Sequence, residues 1–115
     1  MGFTQRISWE TLRSLDSATF NGTYKALGTP LANPAYIAKL VNNSNVIVTI
    51  SIDGTNDVDV APAGSYWLYD EGKVGRDGAF PALPKNTQVF VKGAVGTGLV
   101  YLAIQYIVNA VAMGP

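Results

Sequence analysis

Residues 36–69 alternate short runs of β-branched and aromatic side chains with clusters of Asn, Asp and Gly at nearly regular spacing. That is the pattern of strands joined by tight turns. Within residues 45–53, Val46, Val48, Ile50 and Ile52 fall on one face of an extended chain, and Ile47, Thr49, Ser51 and Asp53 on the other. This predicts a strand with one core side and one largely wet side. Asn42-Asn43-Ser44-Asn45 precedes it with residues that tolerate left-handed backbone angles, and Asp53-Gly54 follows it as a favoured hairpin dipeptide. Residues 57–61 alternate acid and apolar, Pro62-Ala63-Gly64 turns the chain, and residues 65–69 set Tyr66 and Leu68 on one face, Trp67 and Tyr69 on the other. Antiparallel strands in a meander are expected here.

The rest of the chain adds strands around this segment. Residues 7–15 read either as a short helix capped by Ser8 or as an extended arm. In the arm, Phe3, Ile7 and Trp9 alternate as they would if laid across a neighbouring subunit. Residues 18–20 and 23–27 predict a strand pair, or one strand bulged at Gly22, before Pro30 and Pro34 mark an edge crossing or a corner. Residues 70–85 hold three glycines and two prolines and form the longest candidate functional loop. Strands follow at 87–92 and 99–108, separated by the glycine-rich residues 93–98. The last of these is apolar on both faces, which places it centrally in a sandwich or beneath a partner. The expected fold is all-β, an antiparallel β-sandwich or jelly-roll-like barrel of about seven or eight strands. Its expected organisation is an N-terminal arm or short helix over 1–17, the sandwich over 18–109 and a C-terminal tail over 110–115.

Composition narrows the function more than the fold. With 115 residues the chain is one domain, and hydrophobic residues reach 48% against 14% charged. A soluble domain of this size cannot hide that much apolar surface, which implies contact with another protein. Eight basic and eight acidic side chains are scattered to a net charge of zero, leaving no electrostatic footprint for nucleic acid or an anionic membrane. Cysteine and histidine are both absent. Thiolate metal sites, Ser-His-Asp and Cys-His nucleophiles and the usual neutral-pH proton shuttle are thereby removed, so no enzyme, cofactor or small-molecule substrate is expected. No apolar run is long enough to cross a membrane as a helix, and the charged N-terminus does not read as a signal peptide, so production or assembly in the cytoplasm is expected. Met1-Gly2 suggests myristoylation, but Arg6 stands where that pattern needs Ser or Thr.

Four groups of residues could carry chemistry, and each has a plainer reading. Asp53, Asn56, Asp57 and Asp59 offer oxygens for calcium but lack EF-hand spacing, so a solvated turn is favoured. Gly93, Gly96 and Gly98 imitate a phosphate loop, yet a strand rather than a helix follows. Tyr66, Trp67, Tyr69, Tyr101 and Tyr106 could stack on sugars, or could equally serve core and interface, where Tyr and Trp are enriched. Asp70 and Glu71 are adjacent and point opposite ways in an extended chain, which does not make a glycosidase pair. No catalytic, cofactor-binding or metal-binding residue is assigned.

The runs GTYKALGTPLANPAYIAKLVNNSNVIVTISIDGTNDVDVAPAGSYWLYD, FPALPKNTQVFVKG and GTGLVYLAIQYI resemble small virion proteins of tailed bacteriophages. Within that group the chain looks most like the β-sandwich or jelly-roll cement proteins that decorate short-tailed phage heads. The resemblance covers about residues 20–107 and rests on turn-and-strand signatures, which specify fold better than role. It implies a structural protein of the virion, assembled in the host cytoplasm, that binds across major capsid protein subunits as a dimer or trimer. A neck or tail component and a carbohydrate-binding module are the alternatives. The expected contact residues are Phe3, Ile7 and Trp9 in the arm, Val74, Arg76 and Phe80 in the loop, and Trp67 and Tyr69 as exposed aromatics.

Overall fold

A computed structural model describes residues 3–70 and 83–111, with side chains over 7–70 and 83–107. Its spine is the last strand, and the other elements are best placed from it. β9 (Gly98–Val111) is flanked on one edge by β4 (Ile37–Ser44), which is bordered in turn by β7 (Tyr66–Asp70). Along its other edge run β1 (Phe3–Trp9) and then β2 (Arg13–Asp16), both antiparallel to it. The second sheet holds β3 (Lys25–Ala26), β8 (Phe90–Lys92), β5 (Val48–Ser51) and β6 (Asp59–Ala61), in that spatial order. The two antiparallel sheets form a sandwich, as the alternation implied. Val100, Leu102 and Ile104 of β9, Leu40 of β4, and Val48, Ile50 and Val91 of the second sheet are all at 0% exposure between them. Phe20, Leu27 and Leu31, from the segments around β3, complete the core.

Of the two N-terminal alternatives the structure takes the extended one. Residues 7–15 are not a helix, and the extended segment lies on the chain's own β9 as part of the first sheet. Trp9 pairs with Gln105 and Arg13 with Leu102, so Glu10, Thr11 and Leu12 stand against Ala103 and Ile104: a bulge in one long strand. A bulge adds one residue and turns the following side chains to the opposite face. Ile7 and Trp9 therefore look outward, while Arg13 and Leu15 share the inward side of Leu102 and Val100. β9 likewise continues through Val111, beyond the expected tail boundary.

The meander is corrected. β4 does not pair with β5; the chain crosses from the first sheet to the second between Ser44 and Val48 and crosses back between Ala61 and Tyr66. Asn42 organises both crossings from a fully buried position. Its amide donates to the carbonyls of Val46 (2.8 Å), Ala61 (2.9 Å) and Pro62 (3.1 Å), and its Oδ1 accepts from the Ser44 hydroxyl at 2.5 Å. Only β5 and β6 form a hairpin there, closed by a loop rather than a two-residue turn. Residues 18–20 fall largely in a single 3-10 turn (Ser17–Thr19) instead of a strand, and of residues 87–92 only Phe90–Lys92 is strand. The glycine-rich loop is a tight connection. Gly98 has φ +109, and a Cβ there would stand 2.2 Å from the Asn43 carbonyl oxygen.

The molecule is long for its size. Its radius of gyration is 16.0 Å and its extents are 54 × 23 × 21 Å, against about 13 Å expected for a compact chain of this length. β4 reaches Gln105 of β9, and from Ser8↔Tyr106 to Phe3↔Val111 the strands β1 and β9 run on, among the described residues, as a two-stranded ribbon.

Candidate functional site

Strand register fixes which side chains share the outward face of the first sheet, because directly paired residues point the same way. Ile7 and Ile107 form its first row. Trp9, Gln105, Ile37 and Asp70 form the next, then Ala103, Lys39 and Leu68, then Tyr101, Val41 and Tyr66. This face is mostly apolar and much of it is open: Trp9 is 63% exposed, Tyr66 57%, Leu68 46% and Ile7 41%. Small Ala103 lies low between larger neighbours, leaving a depression of about 540 Å³ lined by Trp9, Lys39, Tyr66, Leu68 and Gln105 among others. Lys39 extends over Tyr66, its Nζ 5.5 Å from the ring centre.

The outward side of the second sheet carries a polar network beside an exposed Val60. The Tyr24 hydroxyl donates to the Asp57 carboxylate, Lys92 Nζ lies 3.1 Å from the same carboxylate, and that ammonium sits 4.6 Å above the Tyr24 ring. Burial and the bond to Asp57 push the Tyr24 hydroxyl up to about 12, while the Tyr24 and Lys92 contacts hold Asp57 below the usual carboxylate range. The neighbouring loop consumes its own donors. Asp53 Oδ1 accepts from the Thr55 and Asn56 amides at 2.8 Å each and from the Ser51 hydroxyl, while Oδ2 accepts from Asn56 Nδ2 at 2.7 Å. The backbone amides of Asn56 and Thr55 hold Asp53 well below its ordinary range. This is a self-bonded turn, and among the described residues no group of three His, Cys, Asp or Glu side chains is placed to hold a metal ion.

A second cavity of about 590 Å³ opens where the bulge meets the segment after β3, lined by Trp9, Leu12, Gly28, Asn33 and Tyr106 with others. Its floor is a buried ion pair between Glu10 and Arg13. Arg13 also donates to the Thr29 carbonyl at 2.8 Å and the Pro30 carbonyl at 3.0 Å, and Glu10 accepts from the Asn33 amide at 2.8 Å. Gly28 gives the Arg13 stem its room, with φ +74 and a Cβ position only 2.6 Å from Arg13 Cγ.

The expected contact residues divide accordingly. Ile7 and Trp9 are on the open face. Phe3 belongs to β1 opposite Val111, its side chain outside the described set. Val74, Arg76 and Phe80 lie outside the described residues. Trp67 and Tyr69 are corrected: they point inward and pack half-buried against the core, Trp67 opposite Leu40 and Tyr69 opposite Ala38. Their alternates Tyr66 and Leu68 take the outward face. For the same reason the five aromatics do not make one stacking platform; Tyr66 and Tyr101 share a row of the face, whereas Tyr106 lines the other cavity. Ile37, Lys39, Val41 and Ala103 were not anticipated, although the register of β4 with β7 and β9 identifies them at once.

No family model and no curated protein matches the chain. Among solved structures it is similar to a chain described under "Bacillus endospore appendages form a novel family of disulfide-linked pili", with a TM-score of 0.48 and 13% identity, over 90% of this chain and 88% of that one.

Proposed function

We propose that this chain is a non-catalytic structural subunit of a phage virion, a decoration or cement protein that binds across major capsid protein subunits and stabilises the mature head. The observation that carries the reading is the outward face of the first sheet, an open apolar surface of Ile7, Trp9, Tyr66 and Leu68 around a depression. Contiguous apolar patches of this kind mark association surfaces. The second sheet's outward side combines the Tyr24–Asp57–Lys92 network with an exposed Val60. The sequence resemblance supplies the context: a protein that binds only the expanded shell favours that state by mass action, repeated at every symmetric site. Quantitative mass spectrometry of purified source particles tests it. A copy number comparable to that of the major capsid protein is expected; a ring's worth of copies would move the chain to the neck or tail, and absence from the particle would overturn the virion reading.

A carbohydrate-binding role is favoured by one specific feature. Trp9 and Tyr66 stand exposed at the border of the depression, with Lys39, Asp70 and Gln105 beside them, which combines stacking surfaces with hydrogen-bonding groups. Glycan-array binding abolished by Trp9→Ala would establish it, and a blank array removes it.

A further inference from the structure

The open face carries two opposite charges that no ion pair satisfies among the described residues. The ion pairs among the described residues lie elsewhere, Arg13–Glu10 in the bulge and Lys92–Asp57 on the second sheet. Lys39 leans over Tyr66 instead, and Asp70 closes β7 one outward row away, opposite Ile37. A face that is mostly apolar, and whose charges among the described residues are one cation and one anion offset by a row, is complementary to itself.

We propose that a second copy of this chain covers the outward face of the first sheet, in a two-fold contact that pairs Lys39 of each copy with Asp70 of the other. A two-fold interface uses the same patch on both subunits, so each heterotypic contact occurs twice. Because the charges cancel within one copy, the duplicated patch also cancels and leaves no uncompensated charge at the centre. Four strands about 4.8 Å apart share five residues, and with the ribbon root at Ile7 and Ile107 they give roughly 400 Å² of flat sheet per copy, about 800 Å² for two. The relief of Trp9, Tyr66 and Leu68 adds to that figure and brings it towards the roughly 1,000 Å² that separates specific interfaces from incidental ones. The depression over Ala103 lies in the same row as Lys39, offering space for a side chain from the facing copy.

The ribbon supports the same occupant. Two strands alone are marginal in water, and among the described residues β1 and β9 run past the end of β4 by themselves, with Ile7 and Ile107 continuing the apolar face. A copy lying across the face extends over the root of that ribbon and gives it a second layer.

The inference rests on the reading of this face as an association surface, and it has its own readout. Sedimentation equilibrium of the full chain is expected to give twice the 12.2 kDa of one chain. Lys39→Glu alone brings like charges together twice across the axis, as does Asp70→Lys alone, and each is expected to weaken dimerisation roughly tenfold or more. The double variant restores the pairs in reverse and is expected to recover most of the loss. Both positions are exposed, so far-ultraviolet circular dichroism should report unchanged folding. A monomeric wild-type chain overturns the inference, and so does a dimer indifferent to the single reversals or not rescued by the double one. A monomer still abundant in particles overturns this inference and leaves the virion reading standing; a charge-dependent dimer absent from particles does the reverse.

Discussion

Glu10 Oε1 accepts a hydrogen bond from Arg13 Nη2 at 2.7 Å, with the two side chains only 6% and 8% exposed. Three residues apart in the bulge, they join β1 to β2 and together grip the segment that follows β3. The carboxylate also takes the Asn33 amide, the Asn33 side chain at 3.0 Å and the Ala32 amide at 3.3 Å. A buried pair of this kind contributes little against an apolar alternative, but losing one member strands the other. Glu10→Gln should therefore destabilise the domain by about 2–3 kcal/mol at neutral pH, measured by urea unfolding.

The same carboxylate sets a pH dependence. Burial acts to raise its pKa, but the hydrogen bonds from Arg13, Asn33 and Ala32 together outweigh burial and leave it below the ordinary value. A group depressed in the folded state contributes stability that is fully present above its unfolded pKa of about 4.3 and is lost as pH falls through the folded value. Stability should accordingly decline below about pH 5 in the wild type, and the Glu10→Gln variant should show a shallower acid slope. Equal slopes for the two proteins would show that Glu10 contributes nothing to the acid transition.

Asn42 joins the sheets at a single buried point, so its removal should be felt in both. Asn42→Ala removes the amide donor shared by the carbonyls of Val46, Ala61 and Pro62 and the Oδ1 that accepts from both the amide and the hydroxyl of Ser44, leaving Pro62 with the Ser65 amide and Val46 with the Ser44 hydroxyl. A loss of about 2–4 kcal/mol is expected from the unsatisfied groups and the small cavity. Hydrogen exchange should locate the loosening at both crossings, around residues 44–48 and 61–66.

Gly98→Ala should be costlier than its exposure suggests. The added methyl would meet the Asn43 carbonyl oxygen at 2.2 Å, from a backbone at φ +109 that side-chain-bearing residues rarely adopt. Either the start of β9 or the end of β4 must then shift. Thermal unfolding is expected to show a loss of at least about 2 kcal/mol.

These residues also mark what was legible in the sequence. Period-two alternation declares strands, and the apolar run of β9 declares its central place, because both depend on the chain's own neighbours. Pairing depends on distant partners. Asn42 looks like a turn residue until the carbonyls of Ala61 and Pro62 are known to lie beside it. The bulge at residues 10–12 reverses the inward side between Trp9 and Arg13, so a broken strand imitates the spacing of a short helix. Residues 66–69 alternate cleanly, yet aromatic and apolar side chains stand on both sides, so nothing local says which side is core. The pairing of Trp67 with buried Leu40 decides it.

That last assignment separates two neighbouring substitutions. Trp67 is packed against the core, whereas Tyr66 is 57% exposed on the open face and meets Lys39. Trp67→Ala removes a large, half-buried ring and should destabilise the domain by about 2–4 kcal/mol, whatever its effect on association. Tyr66→Ala removes a surface ring and one cation–π contact, with an expected stability change of about 0.5 kcal/mol. Association should move in the opposite order. Loss of the Tyr66 ring takes contact area from the open face while the fold persists, so Tyr66→Ala should weaken self-association or particle binding in a chain that melts like the wild type. If Trp67→Ala proves innocuous to stability and Tyr66→Ala severe, the inward and outward sides of β7 have been exchanged, and the open face must be redrawn around Trp67 and Tyr69.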